Sequence, residues 1–323
     1  MTRPKVYVAR RIPEVGLKIL SEAADVQLFS GELPPTRDEL LSGVAGCSGI
    51  LSLLSDRLDG EVFEAAGKQL RVVSNFAVGY NNIDVAEALR RGIAVGNTPD
   101  VLTDATADVA VGLLLAAARR FGEAARAVKE RAWKTWEPMG WIGLDLRGKT
   151  LGIVGMGRIG EAVARRLHGG WGMRVLYTAR STKQSVEAEL SARRCELDEL
   201  LQHSDFVSLH VPLCAATTNL IGEPQFAHMK STAVLVNTAR GEIVDQSALE
   251  IALREGQIFA AGLDVCVPEP LLAESPLRKL DNCFILPHIG SATVVARNAM
   301  ATRAAQNIVA GLRGDKLPFP VSA

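Results

Sequence analysis

The stretch "GIVGMGRIGEAVARRL", residues 152–167, decides the fold. It leaves an apolar strand, "KTLGIVG" (149–155), and passes Gly155, Gly157 and Gly160. It then enters a segment whose Ile159, Ala162, Val163 and Leu167 share one helical face. G-x-G-x-x-G alone is a weak pattern, since a glycine-rich helix start without a ligand produces it too. A strand before it and an amphipathic helix after it give it a physical reading. The first glycine permits a tight turn, the second lets backbone approach a pyrophosphate, and the third lets the helix pack on the strand. The helix N-terminus then faces the phosphates. The stretch predicts a dinucleotide-binding unit.

Strand patterns continue downstream: "RVLYTA" (174–179), "DFVSLHV" (205–211), "AVLVNTA" (233–239), "AAGLDV" (260–265) and "CFILP" (283–287). Upstream lies a second alternating block, with strands "KVYVA" (5–9), "VQLF" (26–29), "GILSLL" (49–54), "RVVSNFA" (71–77) and "IAVGN" (93–97). That block has no glycine fingerprint. Alternation of strand and helix predicts parallel sheets covered on both faces. Between the blocks, "TPDVLTDATADVAVGLLLAAARR" (98–120) reads as a long buried helix starting near Pro99 and Asp100. An Ala-rich helix, about 291–312 and closed by Gly314, ends the chain. No loose linker separates the blocks, so helices are expected to join them.

Composition excludes several classes. Lys plus Arg and Asp plus Glu number 36 each in 323 residues, which argues against nucleic acid or an anionic membrane as partner. The longest strongly apolar run, "VAVGLLLAAA" (109–118), is too short to span a bilayer, and the N-terminus has no signal core. Five scattered cysteines without a C-x-x-C pair suggest reduced thiols and a cytoplasmic home. No zinc spacing is present, so no metal is expected.

About twenty residues past the glycine turn, where an acid usually binds the adenosine ribose, the chain reads "LYTARSTK" (176–183). Thr178, Arg180, Ser181 and Lys183 offer donors and positive charge instead. A planar, permanently charged Arg suits a 2′-phosphate, so the stretch predicts NADPH in preference to NADH. The bland alternative is that Arg180 is a solvated loop residue.

Three later motifs supply what hydride transfer to a 2-oxo acid requires. "NTARGEIVD" puts Arg240 after a strand end, "GLDVCVPEP" puts Glu269 in a proline-flanked loop, and "LPHIGSAT" puts His288 after another strand end. An Arg can grip the substrate carboxylate in bidentate fashion. A His can give the carbonyl oxygen its proton, and a neighbouring carboxylate stabilises the charged ring. Each residue alone has an ordinary reading as a turn residue or surface charge; their order behind a dinucleotide turn removes it.

With "VGMGRIG", "NTARGEIVD", "GLDVCVPEP" and "PHIGSAT" in this order, the sequence resembles the D-isomer-specific 2-hydroxyacid dehydrogenases over nearly its whole length. Within them it is most similar to the glyoxylate/hydroxypyruvate reductases, through "RRIPEVG" (10–16), "LLSDRLD" (53–59) and "VGNTPDVLTDATAD" (95–108). The resemblance implies an α/β fold of two flavodoxin-like or Rossmann-like doubly wound domains with an interdomain cleft. It implies a substrate-binding domain of residues 1–98 plus 289–323 and a dinucleotide-binding domain of 99–288. It also implies a catalytic trio of Arg240, Glu269 and His288, with His288 as general acid. Backbone at Val78 and Gly79, in "FAVGYNN", would hold the carboxylate, and Leu54, Ser55 and Ser291 would line the same pocket. Around the cofactor it implies Thr106, Arg158, Ile159, Val211, Pro212, Thr217, Thr238, Ala239, Asp264 and Gly290, with Asp264 on the nicotinamide amide and Pro212 on the adenine. Asn81 and Cys214 depart from the common Asp and Thr of the family, which leaves fine loop geometry open. Cys266 reads as a packed thiol.

"WKTWEPMGW" holds Trp133, Trp136 and Trp141. Such density means core packing or an interface, and the resemblance implies a homodimer arm here. Trp141 is a candidate to enter a substrate pocket, in its own subunit or the partner's. The expected activity is NADPH-dependent reduction of hydroxypyruvate and glyoxylate. A D-lactate-type or broad 2-hydroxyacid dehydrogenase, and a cofactor-sensing corepressor-like protein, remain alternatives. A phosphoglycerate dehydrogenase is disfavoured because no regulatory extension follows.

Overall fold

The structure is a computed structural model and describes residues 3–321. Two compact units divide it: residues 3–102 with 292–321, and residues 103–291. In the first unit five strands form one parallel sheet: β1 (Lys5–Val8), β2 (Asp25–Leu28), β3 (Gly49–Ser52), β4 (Val72–Asn75) and β5 (Ala94–Gly96). Their order is β2-β1-β3-β4-β5. Nearly every residue of β1, β3 and β4 is buried, as the continuous apolar runs of a doubly covered parallel sheet require.

The last helix, Val294–Arg313, belongs to this first unit. Small residues let it lie close on the sheet. A Cβ on Gly311 would sit 2.4 Å from the Val72 side chain. Fully buried Asn307 stitches the helix down, donating to the Asn97 carbonyl at 3.0 Å and accepting from the Phe319 amide at 3.0 Å.

The second unit carries seven parallel strands: β6 (Thr150–Val154), β7 (Arg174–Thr178), β8 (Arg193–Arg194), β9 (Phe206–Leu209), β10 (Val234–Asn237), β11 (Ala260–Leu263) and β12 (Cys283–Ile285). Their order is β12-β11-β10-β9-β6-β7-β8. Successive side chains feed opposite faces. Val234 and Val236 join a core with Leu113, Leu114 and Leu167, while Leu235 joins one with Leu200, Phe226 and Leu253. Truncating such a residue to Ala costs about 2–5 kcal/mol.

Two helix starts differ from the sequence reading. The long helix spans Thr103–Ala118 rather than starting at Pro99–Asp100, because Asp100 has φ 69°, outside the right-handed helical region. The final helix starts at Val294, where the Thr293 hydroxyl caps the Ala296 amide at 3.1 Å. Strand β8 had no sequence signal: it is a two-residue edge of exposed arginines, without the apolar alternation of the others.

Candidate active site

The parallel sheet of the second unit delivers its loops to one edge. Register pairs Val154 with Thr178 and Leu209, Leu209 with Asn237, and Asn237 with Leu263. The chain therefore leaves these strands side by side, at Gly155, Ala179, His210, Thr238 and Asp264. Strand order reverses at β6, between β7 and β9, which is where open α/β sheets bind ligands.

The three glycines differ in what surrounds them. Gly155 has φ 99°, and a Cβ there would meet the His210 backbone at 2.7 Å. A Cβ on Gly160 would meet the Gly155 carbonyl oxygen at 2.3 Å, so the helix Arg158–Trp171 lies against the strand end. Gly157 caps that helix and would meet nothing within 4 Å. The bare helix start thus opens onto space, as the close approach of a pyrophosphate demands. Arg158 is exposed at the first helical position and Ile159 is half-buried behind it.

The loop after β7 is fixed at both ends. The buried Tyr177 hydroxyl accepts from the Lys183 amide at 2.8 Å and donates to Glu187 at 2.8 Å, while Arg194 donates to the Ala179 carbonyl at 3.0 Å. Between these anchors Arg180 and Ser181 are exposed, with Thr178 half-buried below. After β9, the Thr217 hydroxyl donates to the Pro212 carbonyl at 2.6 Å and accepts from the Cys214 amide at 2.9 Å, closing the turn that follows Val211. The hydrogen bond from Thr217 lowers the pKa of the Cys214 thiol, with a smaller contribution from the Arg180 charge. The buried Thr238 hydroxyl has no protein partner, an orphan that a bound polar group would satisfy. These residues fit a dinucleotide.

The trio comes from three loops. Arg240 follows β10, held by Asn237, whose side chain donates to the Arg240 carbonyl at 2.8 Å and accepts from the Ala239 amide at 3.0 Å. Burial lowers the pKa of the Arg240 guanidinium, and the charges of Glu269 and Glu242 oppose that shift. Gly241 lets this loop touch the next, since a Cβ there would sit 2.4 Å from the Cys266 backbone. The Gln246 side chain then clamps Val267, donating to its carbonyl at 2.8 Å and accepting from its amide at 3.0 Å. That places Glu269, which accepts from the Cys266 amide at 3.3 Å with one oxygen and contacts His288 Nδ1 at 2.7 Å with the other. A carboxylate only accepts, so Nδ1 carries a proton and Nε2 is the ring atom pointing away from Glu269.

His288 has φ 55°, a costly conformation for a residue with a Cβ. Asp264 over-determines it: one oxygen accepts from the Ile289 amide and the other from the Gly290 amide, both at 2.7 Å. Burial raises the Asp264 pKa, while those two amides pull it down. The Thr106 hydroxyl donates to the Gly290 carbonyl at 3.1 Å, and half-buried Ser291 follows. Both Asp264 oxygens are thus engaged by backbone, a bracing role that the sequence reading did not foresee. His288 is 29% and Glu269 37% exposed, so the pair is reachable from one side. A cavity of about 330 Å³ lined by Arg120, Glu123, Phe259 and Phe284 lies by Ala260, the start of β11, at the other end of the sheet from the trio.

In the first unit, half-buried Leu54 and exposed Ser55 lie just past β3, and half-buried Val78 and Gly79 just past β4. Asn97 donates to the Val78 carbonyl and Asn75 to the Gly79 carbonyl, both at 2.8 Å. The tryptophans are not core: Trp133 is 56%, Trp136 78% and Trp141 37% exposed. Cys266 donates to the Pro268 carbonyl at 3.3 Å, and burial raises its pKa, as for a packed thiol. Sequence reasoning missed Asn237, Gln246 and Tyr177, which act through backbone contacts that no spacing reveals. Among the described residues no cluster of His, Cys, Asp or Glu could hold a metal ion, and no helix is long and apolar enough to cross a membrane.

Residues 111–290 match the model of the D-isomer specific 2-hydroxyacid dehydrogenase, NAD binding domain. A glyoxylate reductase of Korarchaeum cryptofilum is 51% identical over 317 residues, 98% of this chain and 95% of that protein. A solved structure from Thermus thermophilus superposes with TM-score 0.91 at 44% identity, covering 98% of this chain and all of that one. The NADPH-dependent glyoxylate/hydroxypyruvate reductase of Sinorhizobium meliloti, solved with NADP and malonate, gives TM-score 0.85 at 33% identity, over 99% and 97% of the two chains. By the match over residues 111–290 and the 51% identity over 98% of the chain, the chain belongs to the D-isomer-specific 2-hydroxyacid dehydrogenase family.

Proposed function

We propose that this protein reduces small 2-oxo acids, glyoxylate to glycolate and hydroxypyruvate to D-glycerate, with NADPH as the preferred cofactor. The observation that carries this reading is the 2.7 Å contact of His288 Nδ1 with Glu269 in the unit that also holds Arg240 and the glycine turn. The glyoxylate reductases among its relatives support the substrate class. The exposed Arg180–Ser181 pair, and the NADP-bound relative, support the cofactor.

A nicotinamide dinucleotide, when bound, supplies the hydride. The chain's own residues do the rest. Arg240 grips the substrate carboxylate with two parallel N–H donors, and the backbone amides at Val78 and Gly79 are further carboxylate donors. His288 Nε2 gives its proton to the carbonyl oxygen as that oxygen gains charge, yielding the hydroxyl. Glu269 stabilises the ring before transfer and fixes its orientation. Asp264 holds the strained turn that aims the ring.

We also propose a homodimer through residues 121–142. Phe121, Val128, Trp136, Met139 and Ile142 are all exposed in this one stretch, and exposed large apolar residues gathered together suit a protein–protein interface. Five free thiols suit a reducing cytoplasm.

The test is kcat/KM for hydroxypyruvate, glyoxylate and pyruvate, each with NADPH and NADH, for wild type and Arg180→Ala. A charge-assisted contact is worth roughly 1.5–3 kcal/mol, so NADPH should lead by about ten- to a hundred-fold and the variant should lose that lead. NADH ahead in the wild type would make Arg180 a solvated loop residue. No turnover of any small acid would move the cofactor-sensing reading to the front.

A further inference from the structure

We infer that Asn82 is a positioning residue for the substrate's carboxylate, acting by bracing two backbone loops of the first unit into one anion cradle. The inference rests on the 2-oxo acid reading above and names a residue that reading does not use.

Strands β3 and β4 are neighbours, and the loops that leave them, 53–56 and 76–82, leave side by side. The Asn82 amide nitrogen spans both. It donates to the Leu53 carbonyl at 3.0 Å and the Asp56 carbonyl at 2.9 Å in the first loop. Within the second, Asn82 Oδ1 accepts from the Asn75 amide nitrogen at 3.0 Å. That nitrogen also donates to the Gly79 carbonyl at 2.8 Å, and fully buried Asn75 is itself held by the Ser52 hydroxyl at 3.0 Å. Only the nitrogen of an amide can donate to two carbonyls, so the network fixes the Asn82 orientation. Asp56 closes the first loop by accepting from the Leu53 amide at 2.7 Å.

The consequence lies in the peptide planes. A trans peptide points its carbonyl and its N–H in opposite directions. Tying the Val78 carbonyl to Asn97 therefore turns the Gly79 N–H the other way. Among the described residues neither the Val78 nor the Gly79 amide has a protein acceptor. The Gly79 N–H is thus turned outward by the Asn97 side chain, and the Val78 N–H by the Thr98 amide, which donates to the Ala77 carbonyl at 2.8 Å. Asn82 fixes where that pair stands relative to Leu54 and Ser55.

The experiment compares wild type with Asn82→Asp and Asn82→Ser in the full chain. Asp has the shape of Asn but only accepts, so it faces two carbonyls with repulsion; Ser keeps one donor and folds under milder stress. KM for glyoxylate and the inhibition constant of oxalate should rise together by about ten- to a hundred-fold, the cost of a misplaced grip. kcat and KM for NADPH should stay within about two-fold, since lost ground-state grip raises KM alone. A merely structural role would instead lower kcat, NADPH affinity and Tm together. An active wild type whose folded variants keep their glyoxylate KM overturns the proposal alone. A wild type inert toward glyoxylate overturns the reading beneath it, and the proposal with it.

Discussion

Gly157→Ala separates a cofactor role from a folding role at a single atom. Gly157 has φ −85°, ordinary for Ala, and an added methyl would meet nothing within 4 Å. The folded state therefore accepts it without strain. The unfolded chain loses freedom, a gain of about 0.4–1 kcal/mol that the poorer N-cap preference of Ala offsets, so apoprotein stability should stay within about 1 kcal/mol of wild type. If a pyrophosphate lies on this helix start, the methyl occupies its contact distance. Losing one charge-assisted amide contact, worth roughly 1.5–3 kcal/mol, weakens cofactor affinity by about ten- to a hundred-fold. Gly160→Ala is the contrast: its methyl would sit 2.3 Å from the Gly155 carbonyl oxygen, so it should lower Tm whether or not cofactor is present. Fluorescence titration of NADPH gives the affinity, and a thermal melt of the apoprotein gives the stability. An apoprotein Tm within a few degrees of wild type with weakened NADPH is the expected result. Unchanged NADPH affinity in Gly157→Ala would refute the assignment of the phosphates to this turn.

Other outcomes follow from the same geometry. His288→Gln should lower kcat about 10²- to 10⁴-fold with NADPH affinity kept, because a positioned acid contributes that much; near-normal kcat defeats the assignment. The His210 ring is closely surrounded although the residue keeps some exposed surface, and burial pushes its pKa down from 6.5 to about 3. Between those values the unfolded chain binds a proton that the native one does not, so stability falls as pH falls through that window. The loss reaches about 2 kcal/mol at pH 5. His210→Asn should flatten that acid-side decline in a urea titration, and an identical slope would mean the ring protonates in place. Wild type should sediment at twice its 34.5 kDa mass, and Trp136→Glu with Met139→Glu should halve that; a wild-type monomer at micromolar concentration removes the dimer.

Sequence periodicity carried the two sheets because both are parallel and covered on each face, so β1, β3, β6 and β10 are almost continuous apolar runs. It failed where apolar burial does not decide structure. The edge pair Arg193–Arg194 is held by its pairing with β7 and by polar contacts of its side chains, Arg193 with Glu199 at 2.7 Å and Arg194 with the Ala179 carbonyl at 3.0 Å. The start of the Thr103–Ala118 helix is set by the left-handed turn at Asp100, which no residue preference near Pro99 announces. The site shows the same division. Arg240, Glu269 and His288 are types whose chemistry is visible in a one-letter code. Asn237, Gln246, Asn75 and Asn82 are polar residues whose amides match a backbone that exists only once the chain is folded.

That division explains why the loops can be accurate while lying outside regular structure. Each loop after β10, β11 and β12 is pinned by a side chain in or next to a strand or helix: Asn237 of β10 for Arg240, Gln246 at a helix start for the Glu269 loop, and Asp264 just past β11 for His288. Asp264 spends both oxygens on the amides that follow His288, and Thr106 secures the carbonyl of Gly290 behind them. A ring held at φ 55° would otherwise relax toward ordinary backbone and swing from Glu269. The strain in that turn is the reason a buried carboxylate is worth keeping beneath it, even though burial raises its pKa. Position thus comes from the sheet and orientation from the polar braces.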